Sequence, residues 1–238
     1  MVRIRAFRAI YDIQSCIRFT EGHRGVLESY GIKQVTSANT SWINNPGVYV
    51  IVVEELATKK IIGGTRIHVA NDVQKLPFVE GLEKMDPKVN QLVDRYAAKG
   101  TGELCGLWTD RESTGRGLSI ILTDAGVAEA GIALAHHLKL SSLFVLCAPW
   151  TVRMAMNAGF RVQEEVGDKG KFPYPRPDLL ATLLFIPNNE DLEMANPDER
   201  ERIYDLRKHP RQIKTEHGPK GDLEIEYDLS INEEKKTF

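Results

Sequence analysis

Residues 2–10 alternate small or branched apolar side chains with arginines, the pattern of a strand. Asp12 then stands where it can cap a helix running to about Tyr30, broken or bent near Gly22 and Gly25 and stopped by Gly31. Two apolar runs, 49–56 and 61–70, flank Ala57-Thr58-Lys59-Lys60 and read as an antiparallel hairpin. Gly63-Gly64 inside the second run marks a bulge or a close backbone approach. Asp86-Pro87 opens a helix with Val89, Leu92, Val93 and Tyr96 on one stripe. The run 103–108 is short and apolar, suited to a strand covered on both faces. From Ser119 the period becomes helical, through Ile120, Ile121, Val127, Ala128, Gly131, Leu134, Ala135 and Leu138. A second buried strand follows at 143–147, then a short helix at 150–157 ended by Gly159. Strands are predicted at 160–166 and 179–186, joined by 167–178, whose Phe172-Pro173-Tyr174-Pro175-Arg176-Pro177 is too proline-rich for a strand. Asn196-Pro197 starts a charged helix to about Lys208, and 222–231 alternates strictly, with Leu223, Ile225, Tyr227, Leu229 and Ile231 on one face.

The chemistry concentrates between the strand at 103–108 and the long helix. Ser113, Thr114, Gly115, Arg116 and Gly117 form a turn at a helix N-terminus, where unpaired amides and roughly +0.5 charge suit an anion. Arg111 and Arg116 add local positive charge. The alternative is that both glycines only permit a sharp turn. A dinucleotide fold does not fit, because Thr109 to Thr114 separate the strand from the first glycine and the next strand ends in Ala148-Pro149. A phosphate-binding Gly-Lys-Ser/Thr loop is absent.

The order strand, Glu112-x-x-Gly115-x-Gly117, long helix, strand 143–147, short helix and Ala158-Gly159-Phe160 resembles the GCN5-related N-acyltransferases over residues 1–187. The resemblance implies an α/β (α+β) fold with a mixed, mostly antiparallel sheet, splayed parallel middle strands and flanking helices. It implies acyl-CoA or acetyl-CoA as co-substrate, with Thr114, Gly115, Arg116, Gly117, Leu118 and Ser119 at its pyrophosphate. It also implies that the pantetheine arm enters the splay and that backbone amides near Leu107 and Trp108 face the thioester oxygen. The first motif position is Glu112 where the family has Gln or Arg. The tyrosine often found four residues before Gly-Phe is Ala155, and the usual asparagine aligns near Ala148. The stretch GELCGLW and the apolar insertion 71–101 are also similar to autoinducer synthases and N-acyl amino acid synthases, which take long acyl chains, often from acyl carrier protein. The arginine expected three residues after that glutamate is Gly106.

Composition narrows the field. The 238 residues are 42% apolar and 27% charged, with a formal charge of −2, so no global field favours nucleic acid. No apolar run is long enough to span a membrane, and the N-terminus lacks the pattern of a signal peptide. Cys16, Cys105 and Cys147 are scattered, which argues for reduced thiols and a cytoplasmic setting. Metal chemistry lacks support, since His136 and His137 diverge by about 100° on a helix.

Acyl transfer to an amine requires a base, donors for the carbonyl oxygen and release of a thiolate. Glu103 is the candidate base, because a carboxyl opening an apolar strand has a raised pKa. Its alternative is an ion-paired structural glutamate; Glu54, Glu55, Asp110 and His68 are further candidates. A nucleophilic Cys105 or Cys147 is the rival mechanism, without a histidine placed beside either. His23 and Arg24 lie over the acceptor side implied by the resemblance, and their own pattern reads as an exposed basic pair. The insertion 71–101 either shapes an acyl or acceptor pocket or only covers the sheet. Residues 188–238 form a charged extension whose strand docks on its own subunit or on a second copy, giving a homodimer. The expected function is transfer from acyl-CoA to a small amine or amino-acid-like acceptor. A non-catalytic acyl-CoA-binding module and an acyl-carrier-protein-dependent synthase are the alternatives.

Overall fold

The computed structural model describes residues 1–32, 39–115, 118–119, 121–218 and 221–231. The N-terminal alternation becomes β1 (Val2–Arg8), with Val2, Ile4 and Ala6 buried. Asp12 caps α1 (Ile13–Ser29), accepting from the Ser15 N–H at 3.0 Å. Contrary to expectation, α1 passes Gly22 and Gly25 without a break. Gly22 serves a close approach instead: a Cβ there would lie 2.1 Å from the Trp108 ring. β2 (Val48–Glu55) and β3 (Ile61–Val69) form the hairpin. The pairing of β3 with β4 (Thr101–Thr109) slips between Gly64 and Arg66, and a Cβ on Gly64 would fall 2.3 Å from the Ile51 carbonyl oxygen.

The insertion carries α2 (Pro77–Leu82) and α3 (Lys88–Ala97). Their Phe78, Leu82, Val89 and Leu92 form a core of their own with Phe144, Phe172, Leu183 and Phe185. After β4 comes a short α4 (Arg111–Gly115), then a π-helical stretch Ile121–Ala128 that continues as α5 (Glu129–His137). The sequence period predicts one regular helix here. Thr123 instead bonds back to the Ser119 carbonyl at 2.6 Å, the kind of side-chain competition that loosens helical winding.

β5 (Ser142–Cys147) returns parallel to β4, paired at Thr101↔Ser142, Gly102↔Leu143 and Glu103↔Phe144 and no further. α6 (Val152–Asn157) ends at Gly159, whose φ of +107° suits glycine. β6 is only Arg161–Val162, shorter than the strand expected at 160–166, and positive φ at Gly167, Lys169 and Gly170 then turns the chain. The proline-rich loop also departs from expectation, since β7 (Lys171–Pro173) pairs with β8 (Leu180–Ile186). Pro173 sits in a strand with one neighbour, β8, an edge position where proline is tolerated.

Asn196 caps α7 (Pro197–Lys208), which is followed by β9 (Arg211–Gly218) and β10 (Gly221–Asp228). β10 pairs in parallel with β1 of the same chain, from Val2↔Ile225 to Arg5↔Asp228. The described residues thus form one ten-stranded sheet in the order β6-β8-β5-β4-β3-β2-β1-β10-β9, with β7 beside β8. Two of its pairings are parallel, β4 with β5 and β1 with β10. Among the described residues no helix is long and apolar enough to cross a membrane.

Candidate active site

Where β4 and β5 stop pairing, the sheet opens a cavity of about 230 Å³. Leu104 to Leu107 of β4 and Val145 to Cys147 of β5 form its walls. Met154, Ala155 and Ala158 of the α6 segment, with Phe160, add apolar surface. Pro77 and Phe78 of the insertion, His23 and Leu27 of α1, and Tyr174 and Pro175 from the loop after β7 also line it. The insertion therefore both covers the sheet and shapes the pocket.

Glu103 lies at the last paired position of β4 and lines this cavity. It is buried, and its Oε2 accepts from the Phe78 N–H at 2.8 Å. Burial pushes its carboxyl up to about 8, against the opposing pull of the Phe78 N–H and the Arg66 charge. Arg66 is itself buried, its guanidinium 4.2 Å above the Trp42 ring and 5.5 Å from that of Phe19. An Arg66 Nη contacts Cys105 Sγ at 3.8 Å. Sequence reasoning passed over Arg66, since a charged residue inside an apolar strand carries no signal that it is buried. His68 is buried on the same strand, its Nε2 without a hydrogen-bond partner among the described residues. Burial and Arg66 hold His68 well below its ordinary pKa, so it does not serve as a base near neutrality.

His23 is a correction. Arg24 is exposed, whereas His23 is only 4% exposed and faces the cavity. Burial and the Arg66 charge push its pKa down to about 3. His23 belongs to the buried stripe Cys16, Phe19, Thr20, His23 of α1, which the charged neighbours Glu21 and Arg24 mask in the sequence.

The other candidates separate. Leu107 lines the cavity, while Trp108 packs beneath α1 against Phe19 at 5.8 Å between ring centroids. Thr114 and Gly115 end α4; Arg116 and Gly117 lie outside the described residues. The Ser113 N–H donates to Asp110 Oδ1 at 2.8 Å, and the Leu118 N–H to the Ser113 carbonyl at 2.9 Å. Leu118 and Ser119 are half-buried ahead of the π-helical stretch. Arg111 donates to the Ser29 carbonyl at the end of α1 at 3.1 Å, and Glu112 is an exposed partner of Lys60 at 3.2 Å. Glu54 pairs with Arg5 at 2.8 Å, Asp110 with Lys60 at 2.8 Å, and Glu55 accepts from Thr58 at 2.7 Å. Cys105 and Cys147 line the cavity, but burial pushes both thiols up to about 12, which disfavours the thiolate a nucleophile needs.

No family model matches the sequence, and no curated protein matches it. Solved structures do. FeeM, an N-acyl amino acid synthase from uncultured soil microbes, is 12% identical over 82% of this chain and 99% of its own, with a TM-score of 0.60. BjaI, a CoA-dependent acyl-homoserine lactone synthase, is 10% identical over 98% of this chain and 94% of its own, at 0.53. A mosquito arylalkylamine N-acetyltransferase-like protein is 14% identical over 78% of this chain and 99% of its own, at 0.50. At these identities the likeness is one of fold: the chain has the fold of the GCN5-related N-acyltransferases and of the acyl-homoserine lactone and N-acyl amino acid synthases.

Proposed function

We propose that this protein is an N-acyltransferase that moves an acyl group from acyl-CoA to a small amine or amino-acid-like acceptor. The observation that carries the reading is the apolar cavity between β4 and β5 with one buried carboxyl, Glu103, where the strands part. Glu103 takes a proton from the acceptor amine as the nitrogen attacks the thioester carbon; the C–S bond breaks, CoA leaves as the thiolate, and a proton from Glu103 or solvent converts it to the thiol. A carboxyl near 8 is matched to that task, because its conjugate base is abundant just above neutrality. Beyond Glu103 the edge of β4 that faces β5 has no strand pairing, which supports amides near Leu107 as donors to the carbonyl oxygen. The Ser113 and Leu118 amides are bonded internally, so this reading leaves the pyrophosphate to Thr114, Gly115, Arg116, Gly117 and Ser119.

Ala155 is buried and lines the cavity where the family often has tyrosine, so α6 adds apolar space and no general acid. That favours a donor longer than acetyl. The same reading takes the protein to work in the cytoplasm with its three buried thiols reduced, and to dimerise through the C-terminal extension, whose β9 is the outer edge of the sheet.

The test is thiol release from acetyl-, octanoyl- and palmitoyl-CoA across a panel of amines. Release that depends on both substrates and is greater with octanoyl-CoA than with acetyl-CoA is expected. Thermal stabilisation by CoA without turnover on any amine would overturn the enzymatic reading and leave a binding module. Gly117→Val is expected to abolish the CoA-induced stabilisation; an equal shift in variant and parent would remove the glycine turn from the site.

A further inference from the structure

His23 is a polar group on the cavity that takes no part in the proton transfer to Glu103. Gly22 seats α1 directly on Trp108, and the next residue projects to the cavity wall. His23 leans on the Phe19 ring, with centroids 6.2 Å apart at 45°, and its imidazole makes no hydrogen bond among the described residues. A polar ring that is almost wholly buried and faces a cavity without a partner carries an unmet hydrogen-bonding demand.

We propose that His23 is the acceptor-positioning residue of the site: one ring nitrogen accepts an N–H of the acceptor amine while Glu103 takes the other, so that the nitrogen lone pair is left facing the thioester carbon. This rests on the acyltransferase reading given above. It also names the substrate class. A neutral primary amine has two N–H groups and satisfies both residues; a secondary amine has one and leaves either His23 or Glu103 unserved. Buried groups left unpaired in this way reject an analogue far more strongly than a lost apolar contact does. Besides His23, the titratable groups on the same cavity are Glu103, Cys105, Cys147 and Tyr174, with Arg66 behind them. The positive Arg66 and burial keep the imidazole neutral, so His23 remains an acceptor across the working pH range while Glu103 titrates.

The experiment measures kcat and KM with octanoyl-CoA against three primary amines, glycine, phenylalanine and tryptamine, and against their N-methyl counterparts. The parent is expected to favour the primary amines by about 100-fold in kcat/KM. His23→Leu is expected to raise the acceptor KM about tenfold and erase most of that preference, with the octanoyl-CoA KM and the shape of the pH profile unchanged. His23→Asn, which restores an acceptor atom, is expected to recover part of both. An unchanged acceptor KM and preference in His23→Leu would overturn the assignment. So would a parent that accepts N-methyl amines equally well, a result that holds even if the leucine variant fails to fold. No thiol release by the parent with any amine overturns the acyltransferase reading together with this one, whereas release with an indifferent His23 overturns this one alone.

Discussion

Replacing Glu103 by Gln tests its environment without any substrate. In the unfolded chain this carboxyl titrates at its ordinary value of 4.5; in the folded protein burial moves it to about 8. The folded state therefore keeps its proton over a range where the unfolded state has lost it. The stability linked to this group is full below pH 4.5, falls by about 1.4 kcal/mol per pH unit as pH rises to about 8, and is level above that. Over the whole interval the loss amounts to about 5 kcal/mol. Glu103→Gln keeps shape and an oxygen for the Phe78 N–H but cannot ionise. Its stability should match the parent's at pH 4.5 and exceed it by up to about 5 kcal/mol at pH 9. Urea unfolding of both proteins at pH 5, 6, 7, 8 and 9 measures this, and the difference cancels the other titrating groups. A variant less stable than the parent at pH 8, by a margin that grows with pH, would refute the reasoning. It would mean that the folded protein holds an ionised Glu103 against Arg66.

The same displacement predicts that kcat/KM for acyl transfer, counted on the neutral form of the amine, rises with pH from 6 and levels above about 8, while Glu103→Gln on the same basis is flat and lower by about 10²–10⁴-fold in stopped-time thiol assays. Ala155→Phe fills the α6 side of the cavity and should lower the ratio of octanoyl-CoA to acetyl-CoA turnover at least about tenfold, with CoA-induced stabilisation kept. Gly22→Ala drives a methyl group into Trp108 and should cost about 1–3 kcal/mol by denaturant unfolding, although alanine is the better helix former. Asn196→Ala removes the side-chain acceptor of the Asp198 N–H, 3.1 Å away, and should cost about 1 kcal/mol.

Most of the architecture was legible in period and punctuation. Asp12, Asn196, Gly159 and the glycine pair at 63–64 mark their elements because caps and bulges draw on few residue types. β9 was missed because RQIKTEHG is an edge strand with one large apolar residue, Ile213, and that residue is exposed. β7 was missed because proline argues against a strand unless the strand is an edge, and edge position is not visible in the sequence. For the site, Glu103 was readable as a carboxyl in an apolar run, but the burial of His23 and Arg66 was not. Charged neighbours Glu21 and Arg24 hide the inward stripe of α1, and a fully buried guanidinium needs the Trp42 ring, which comes from a distant segment. Contacts made across the chain leave no local pattern.

The central claim is that the gap where β4 and β5 part receives the thioester arm of acyl-CoA. A crystal structure with a non-hydrolysable octanoyl-CoA analogue tests it most directly. The account predicts density for the pantetheine arm between Leu104–Leu107 and Val145–Cys147, the acyl chain against Ala155 and Ala158, and the reacting carbon within hydrogen-bonding reach of an amine held by Glu103. Analogue density elsewhere on the protein, with the gap filled only by water, would contradict it.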